Sequence, residues 1–410
     1  MKRFLRILIL LAVRVLGLPG SLRAARKARP LPGQPPRILL IRPDHLGDLI
    51  LTTPILQALR EHASDAHLTM MVGPWSSEIV ARHPALDHLL TCPFPGFSRT
   101  PQRPLAPYKL LFKVARQLRR EHFDLAINLR PDFWWGAALL YLAGIPRRVG
   151  YALQPGQPFL SLALPFPAGE HAAVSNLRLA SAGLVKLGYA PLAEPFTPER
   201  YPTSFKPTAE ERAWAGARLH GVGIEDDTPL IVIPPGSGAA VKLWRAEAWA
   251  TCANTLRATL TSPRQARILL TGSPGERELV EKVARDIPGG ATVITDASVG
   301  QLAALLERAT CVLAVDNGPG HIAVAQNTPG VHLFGPTDPR IFGPWGDPQR
   351  HIVLASTQRC PACPAIPCGR LDWTPAELPE HPCVRVISEE RVLAAANRLL
   401  GIPQETLERK

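Results

Sequence analysis

The sequence predicts an α/β protein made of two doubly wound domains, and three observations carry that expectation. Short, continuously apolar runs alternate with helix-like stretches, the pattern of parallel strands buried on both faces. The alternation runs once, stops, and restarts after a proline-rich interval. The chain of 410 residues is too long for one compact domain, since domains usually run ~100–200 residues.

Residues 1–36 come first, as a basic amphipathic leader and tether. Phe4 to Leu18 reads FLRILILLAVRVLGL. On a helix turning ~100° per residue, Arg3, Arg6 and Arg14 fall within an arc of about 80°, and apolar side chains fill most of the rest. That pattern suits a helix lying in a membrane interface, its cations toward anionic headgroups. A signal peptide is the rival reading, but Arg14 interrupts the apolar region and no small-x-small cleavage site precedes the basic stretch. No run reaches the ~18–20 uncharged apolar residues of a transmembrane span.

The charge balance narrows the partners. Lys and Arg number 46 against 34 Asp and Glu, a net +12. Nine of those cations lie in residues 1–37, which contain no Asp or Glu, so 37 cations nearly balance the 34 anions of the body. That distribution describes an anionic membrane surface as a partner of the leader. It does not describe a nucleic-acid surface.

The first domain is expected over residues 37–190. Its strands are predicted at 37–41, 68–72, 123–129 and 148–151, with helices near 55–62, 108–120 and 134–142. Residues 191–207 hold five prolines and no periodicity, the mark of a linker. The second domain follows over residues 208–400. Strands are predicted at 230–233, 268–271, 292–294, 311–315 and 331–334, and helices at 246–256, 275–286, 301–308 and 320–326. Two such domains are expected to face each other across a cleft, with ligands beyond the carboxyl ends of the strands.

Those strand ends carry the candidate site. The first strand runs into Arg42-Pro43-Asp44-His45-Leu46-Gly47-Asp48. The turn has one glycine where a dinucleotide fold needs G-x-G-x-x-G, and the chain has no P-loop, H-E-x-x-H or G-x-S-x-G motif. Pro54 argues against a regular helix through residues 48–53, so Asp48 is expected on a loop or a kinked first turn. Its carboxylate either caps that helix or acts as a base. In the second domain, Gly236, Ser237 and Gly238 offer backbone amides after a strand, and Lys242 adds a positive charge suited to phosphate. Asp316, Asn317, Gly318, Gly320 and His321 follow a later strand and open a helix, where unpaired amides suit an anion. Gly335 to Pro339 forms another loop on the same edge. Together these ends suit a nucleoside diphosphate, and they contain no acidic cluster for a metal.

Four of the seven cysteines, Cys360, Cys363, Cys368 and Cys383, gather near the carboxyl end in a C-x2-C-x4-C-x14-C spacing. Such thiolates can hold zinc or an iron–sulfur cluster, and reduced structural thiols are the plainer alternative. Cys92, Cys252 and Cys311 read as buried singles.

The motifs RILLIRPDHLGDLILTTP at 37–54, VDNGPGHIA at 315–323 and LFGPTDP at 333–339, in this order, resemble the bacterial heptosyltransferase-like family, glycosyltransferase family 9. The segments HPALD at 83–87, Asn128-Leu129-Arg130 and Lys242-Leu243-Trp244 support the likeness. The resemblance spans roughly residues 37–400. It implies the GT-B fold and an inverting, metal-independent transfer of a sugar, typically heptose from ADP-heptose, to a lipopolysaccharide-type, lipid-linked glycan acceptor. It implies a cytoplasmic enzyme, peripheral on the inner face of the cell membrane. By position, Asp48 matches the family's general base and Lys242 its phosphate-contacting lysine. Asp316, Asn317, Gly318 and His321 match its donor site, where Asn317 replaces the more usual hydroxyl residue. Gly236 and Ser237 fall at its phosphate turn and Glu276 near its ribose contact, while Arg42, Asp44, His45 and Arg130 fall on the acceptor side. A catalytically silent sugar-nucleotide binder and a nucleotide-sugar epimerase are the alternatives.

Overall fold

The computed structural model describes residues 2–27, 34–97, 103, 105–261, 263–374 and 376–402, without the side chains of 2–8 and 23–27. Tether residues 28–33 and the side chains of Arg3 and Arg6 lie outside the described residues. By packing, the chain divides into two units, Met1–His45 with Thr52–Thr197 and Leu46–Leu51 with Pro198–Lys410.

In chain order the first part runs α1 (Lys2–Lys27), β1 (Arg37–Arg42), α2 (Leu46–Ile50), α3 (Thr53–His62), β2 (His67–Val72), α4 (Glu78–Ala81) and β3 (His88–Thr91). Then come α5 (Ala106–Arg119), β4 (Leu125–Asn128), α6 (Trp134–Leu142), β5 (Arg147–Tyr151), β6 (Leu162–Leu164) and α7 (Ala172–Leu187). The six strands form one sheet in the order β3-β2-β1-β4-β5-β6, every pair parallel.

The second part runs α8 (Ala209–His220), β7 (Leu230–Ile233), α9 (Ala246–Thr259), β8 (Arg267–Thr271), α10 (Arg277–Arg285), β9 (Thr292–Ile294) and α11 (Val299–Arg308). It continues with β10 (Cys311–Val315), α12 (Gly318–Ala325), β11 (Gly330–Phe334), α13 (Pro339–Phe342), β12 (His351–Ala355) and α14 (Glu389–Leu400). Its sheet, β12-β11-β10-β7-β8-β9, is also wholly parallel. Each sheet therefore has the order 3-2-1-4-5-6, with the reversal between β1 and β4 in one and between β7 and β10 in the other. Ligands of such sheets bind at the carboxyl ends of those two strands.

The central strands lie where their apolar runs predict them, because both faces are covered. Strands β3, β6 and β12 escape the sequence reading. All three are edge strands, and apart from the buried His351 their residues are half-buried or exposed rather than continuously buried. Residues 191–207 hold no helix or strand, and the division between units falls within them, after Thr197.

One expectation is corrected. The sequence reading gives residues 46–51 to the first domain, whereas by packing they belong to the second unit, because α2 lies on α12. The leader is helical, and one side of it packs on the first unit. Leu10 and Val13 are buried, Gly17 sits under the Tyr141 ring, and Tyr141 Oη donates to the Arg14 carbonyl at 2.8 Å. On a helix of ~100° per residue these positions share roughly the arc of Arg3, Arg6 and Arg14. The protein's own α6 thus covers part of that side, while Arg14 stays exposed. Leu11, Val15, Leu18 and Leu22, another stripe, are exposed.

Candidate functional site

In the second unit the site is organised by Asp316, at the end of β10. Its carboxylate is almost wholly buried. Lys242 Nζ lies 2.6 Å from Oδ2, Thr337 Oγ1 donates to the same oxygen at 2.5 Å, and His321 Nε2 stands 3.8 Å from Oδ1. Burial alone would raise the Asp316 pKa, but the His321 imidazole and the Lys242 ammonium outweigh it and hold the carboxyl well below its usual range. Lys242 and Asp316, read from the sequence as separate donor contacts, are an ion pair. The Lys242 ammonium is thus already engaged by a carboxylate.

The loops around this pair are tied to one another. Asn317 Nδ2 donates to the carbonyls of Pro234 at 3.0 Å and Gly236 at 2.8 Å. Asn317 Oδ1 accepts from Gly320 N at 2.8 Å and so caps α12. This side chain joins the β7 and β10 turns. Ser237 Oγ reaches the Asp316 carbonyl at 3.5 Å. Gly236 backs onto Glu276, where any Cβ would run into the carboxylate. Glu276 itself accepts from Ser273 N and Oγ at 2.8 and 2.7 Å.

Asp48 lies in the first turn of α2, half-buried. Helix α2 stops at Ile50, Leu51 and Thr52 form a turn, and α3 opens at Thr53 with Pro54 in its first turn. The expected interruption by proline is present. Helix α2 sits on α12 through two close approaches: Gly47 against His321, and Leu46 against Gly318, where a Cβ would stand 3.0 Å from Leu46 Cβ.

In the first unit, Asp44 is buried between two guanidinium groups at the ends of β1 and β4. Arg42 Nε lies 2.6 Å from Oδ2, and Arg130 Nη1 pairs with Oδ1. Trp75 Nε1 and Ser76 Oγ donate to the Asp44 carbonyl at 3.0 and 2.9 Å. Burial alone would lower the Arg130 pKa, but Asp44 and Asp132 hold it above its ordinary value. The residues expected on the acceptor side thus divide. Asp44 and Arg42 are buried organisers, while Arg130 is one-third exposed and His45 is exposed beside Trp75, ring centroids 5.8 Å apart.

Residues 111–369 match the model of the family described as glycosyltransferase family 9 (heptosyltransferase). The chain belongs to this family. Over 372 residues it is 26% identical to lipopolysaccharide heptosyltransferase 3 of Escherichia coli, covering 86% of this chain and 95% of that one. It is 27% identical over 338 residues to lipopolysaccharide heptosyltransferase 1 of Pseudomonas aeruginosa, covering 80% and 86% of the two chains. Among solved structures, the family 9 glycosyl transferase from Veillonella parvula superposes with a TM-score of 0.72 at 25% identity, over 90% of this chain and 98% of that one. The ADP-heptose lipopolysaccharide heptosyltransferase II of E. coli shares the fold, with a TM-score of 0.67 at 19% identity over 90% and 99%.

This family 9 glycosyltransferase holds groups that the sequence reading leaves unassigned. Thr337 is a third partner of Asp316, and its place in the strand-end loop 335–339 is the signal that could have found it. His332 and His351 lie buried in β11 and β12 with ring centroids 5.7 Å apart. Burial lowers both imidazoles, His351 to about 4. Cys360, Cys363 and His381 form a buried group whose ligand atoms all lie within 4.8 Å of one another. His381 stands two residues before Cys383, a pairing the cysteine spacing alone does not reveal.

Proposed function

We propose that this glycosyltransferase moves heptose from ADP-heptose to a lipopolysaccharide-type acceptor, with inversion at the anomeric carbon and no metal in the reaction. The observation that carries this reading is the Lys242–Asp316–Thr337–His321 cluster at the strand-order reversal of the second sheet. It joins a cation for a diphosphate to a low-pKa carboxylate suited to sugar hydroxyls. Lys242 supplies the charge that a metal supplies elsewhere. Among the described residues, no group of three carboxylates could hold one.

Inversion requires the acceptor hydroxyl to lose its proton as it attacks the face opposite the departing ADP. Asp48 is assigned as the proton acceptor. The packing of α2 on α12 supports this, since it couples the Asp48 turn to the donor loop. Arg130 and His45 are assigned to the acceptor, whose phosphate groups suit a guanidinium.

The reading includes peripheral attachment to the inner face of the membrane. Among the described residues no helix is long and apolar enough to cross a bilayer. The exposed stripe of α1 and the exposed cations Lys109, Lys113, Arg116 and Arg120 of the α5 region support interfacial binding.

The test is ADP release from ADP-heptose with truncated lipopolysaccharide, with NMR of the product's anomeric configuration. Acceptor-dependent release with inversion is expected. Hydrolysis or epimerisation of the donor without an acceptor would sink the proposal.

A further inference from the structure

The carboxyl-terminal cysteines form a knuckle beside the donor loops. Residues 356–388 hold, among those described, a single 3-10 turn at Leu378–Glu380 as regular structure. Such a segment has little backbone hydrogen bonding of its own to hold it. Its interior is a set of soft ligands. Cys360, Cys363, His381 and Cys383 are each at most 5% exposed, and Cys363 Sγ lies 3.3 Å from His381 Nδ1. The thiol of Cys383 neighbours Cys360, and that of the more exposed Cys368 neighbours Cys363.

We propose that Cys360, Cys363, His381 and Cys383 bind one thiophilic divalent ion, zinc or ferrous iron, as a structural site. Sulfur and nitrogen ligands at about 2.0–2.3 Å from one tetrahedral ion stand roughly 3.4–3.8 Å from each other. The ligand atoms of Cys360, Cys363 and His381 already lie within 4.8 Å, so an ion needs each of these three to move by no more than about 1 Å, with Cys383 beside Cys360 as the fourth. The outer face of the imidazole is held by Trp373, stacked at 3.4 Å, with Arg370 over the same indole at 3.6 Å. Such orientation of a ligating ring is what a metal site requires.

The knuckle braces both donor loops. Gly369 N donates to the Pro336 carbonyl at 2.7 Å, and a Cβ on Gly335 would stand 3.1 Å from Cys383 Sγ. These contacts hold the loop that presents Thr337 to Asp316. On the other side, Trp244 Nε1 donates to the Ile387 carbonyl at 3.0 Å and Arg245 Nε to the Arg385 carbonyl at 3.0 Å. The turn bearing Lys242 is thus anchored to the same segment. The ion's role is to fix these loops, and no reaction step passes through it.

The test is elemental analysis of the full chain, purified untagged under reducing conditions and reconstituted with zinc or ferrous iron. About one equivalent per chain is expected, and cobalt substitution should give the thiolate charge-transfer and d–d bands of a tetrahedral site. Cys363→Ser, Cys383→Ser and His381→Ala should each lose the ion while soluble. A mercurial titrating the thiols of wild type should release it in step, whether or not the variants fold. Wild type that holds no ion after reconstitution, with all seven thiols reactive once denatured, overturns the proposal. Retention of a full equivalent in any of the three variants overturns the ligand set. Metal content is read without donor or acceptor, so failure here is distinct from failure of the heptosyl-transfer reading.

Discussion

Gly47 lies against the imidazole of His321: a Cβ at position 47 would stand 2.8 Å from His321 Cδ2. The glycine of the first strand-end motif and the histidine of α12 are therefore one packing contact, and Asp48 is the next residue. Gly47→Ala should push α2 away from α12, at a cost of about 1–3 kcal/mol for overpacking. Turnover should fall at least tenfold. Combining it with His321→Ala should cost less than the sum of the two, because the clash partner is gone. Additive losses in urea unfolding would show that the contact is not coupled.

Lys242→Ala should weaken ADP binding roughly 10- to 150-fold, the range of a lost charge-assisted contact of about 1.5–3 kcal/mol. The variant also strips the buried Asp316 carboxylate of the ammonium 2.6 Å away, so a lower melting temperature should accompany the loss. Thr337→Val should show a smaller loss of the same kind. Isothermal titration with ADP decides it, and unchanged affinity in Lys242→Ala would remove the lysine from the donor site.

Asp48→Asn keeps shape and hydrogen-bonding capacity while removing basicity. kcat should drop about 10²–10⁴-fold with ADP affinity and melting temperature near wild type. Wild-type turnover would pass the role to another group. Asp44 is a poor successor, since two arginines already engage its carboxylate.

His351 ties stability to pH. Its folded pKa of about 4 lies below the ordinary 6.5, so between those values the unfolded chain binds a proton that the native state refuses. The stability contribution is complete above pH 6.5 and lost as pH falls toward 4. His351→Phe should flatten the pH slope of unfolding free energy by up to ~1.4 kcal/mol per pH unit. Identical slopes in wild type and variant would contradict this.

Replacing Leu11, Val15, Leu18 and Leu22 by serine leaves the packed side of α1, Leu10, Val13 and Gly17, intact. Sedimentation with anionic vesicles should fall to background for this variant, and wild-type binding should weaken with salt. Undiminished binding would exclude the stripe as the contact.

Much of this enzyme is legible in the linear chain. Continuous apolar runs such as Leu230–Ile233 announce central strands, because residues buried on both faces leave a local signature. The edge strands β3, β6 and β12 leave none, being covered on one side only. Local chemistry likewise marks Asp316, Lys242 and the Gly236–Ser237 turn as candidate donor residues. Their combination is decided elsewhere. The pairing of Lys242 with Asp316 spans 74 positions, that of Arg130 with Asp44 spans 86, and both exist only because parallel pairing aligns the strand ends. The use of Asn317 as a clamp between two turns and the burial of Asp44 have the same origin, while His381 joins the cysteine cluster through the irregular segment after β12. Periodicity and loop chemistry are properties of neighbours in sequence, whereas such an ion pair needs chain ends brought together by the closing of a sheet.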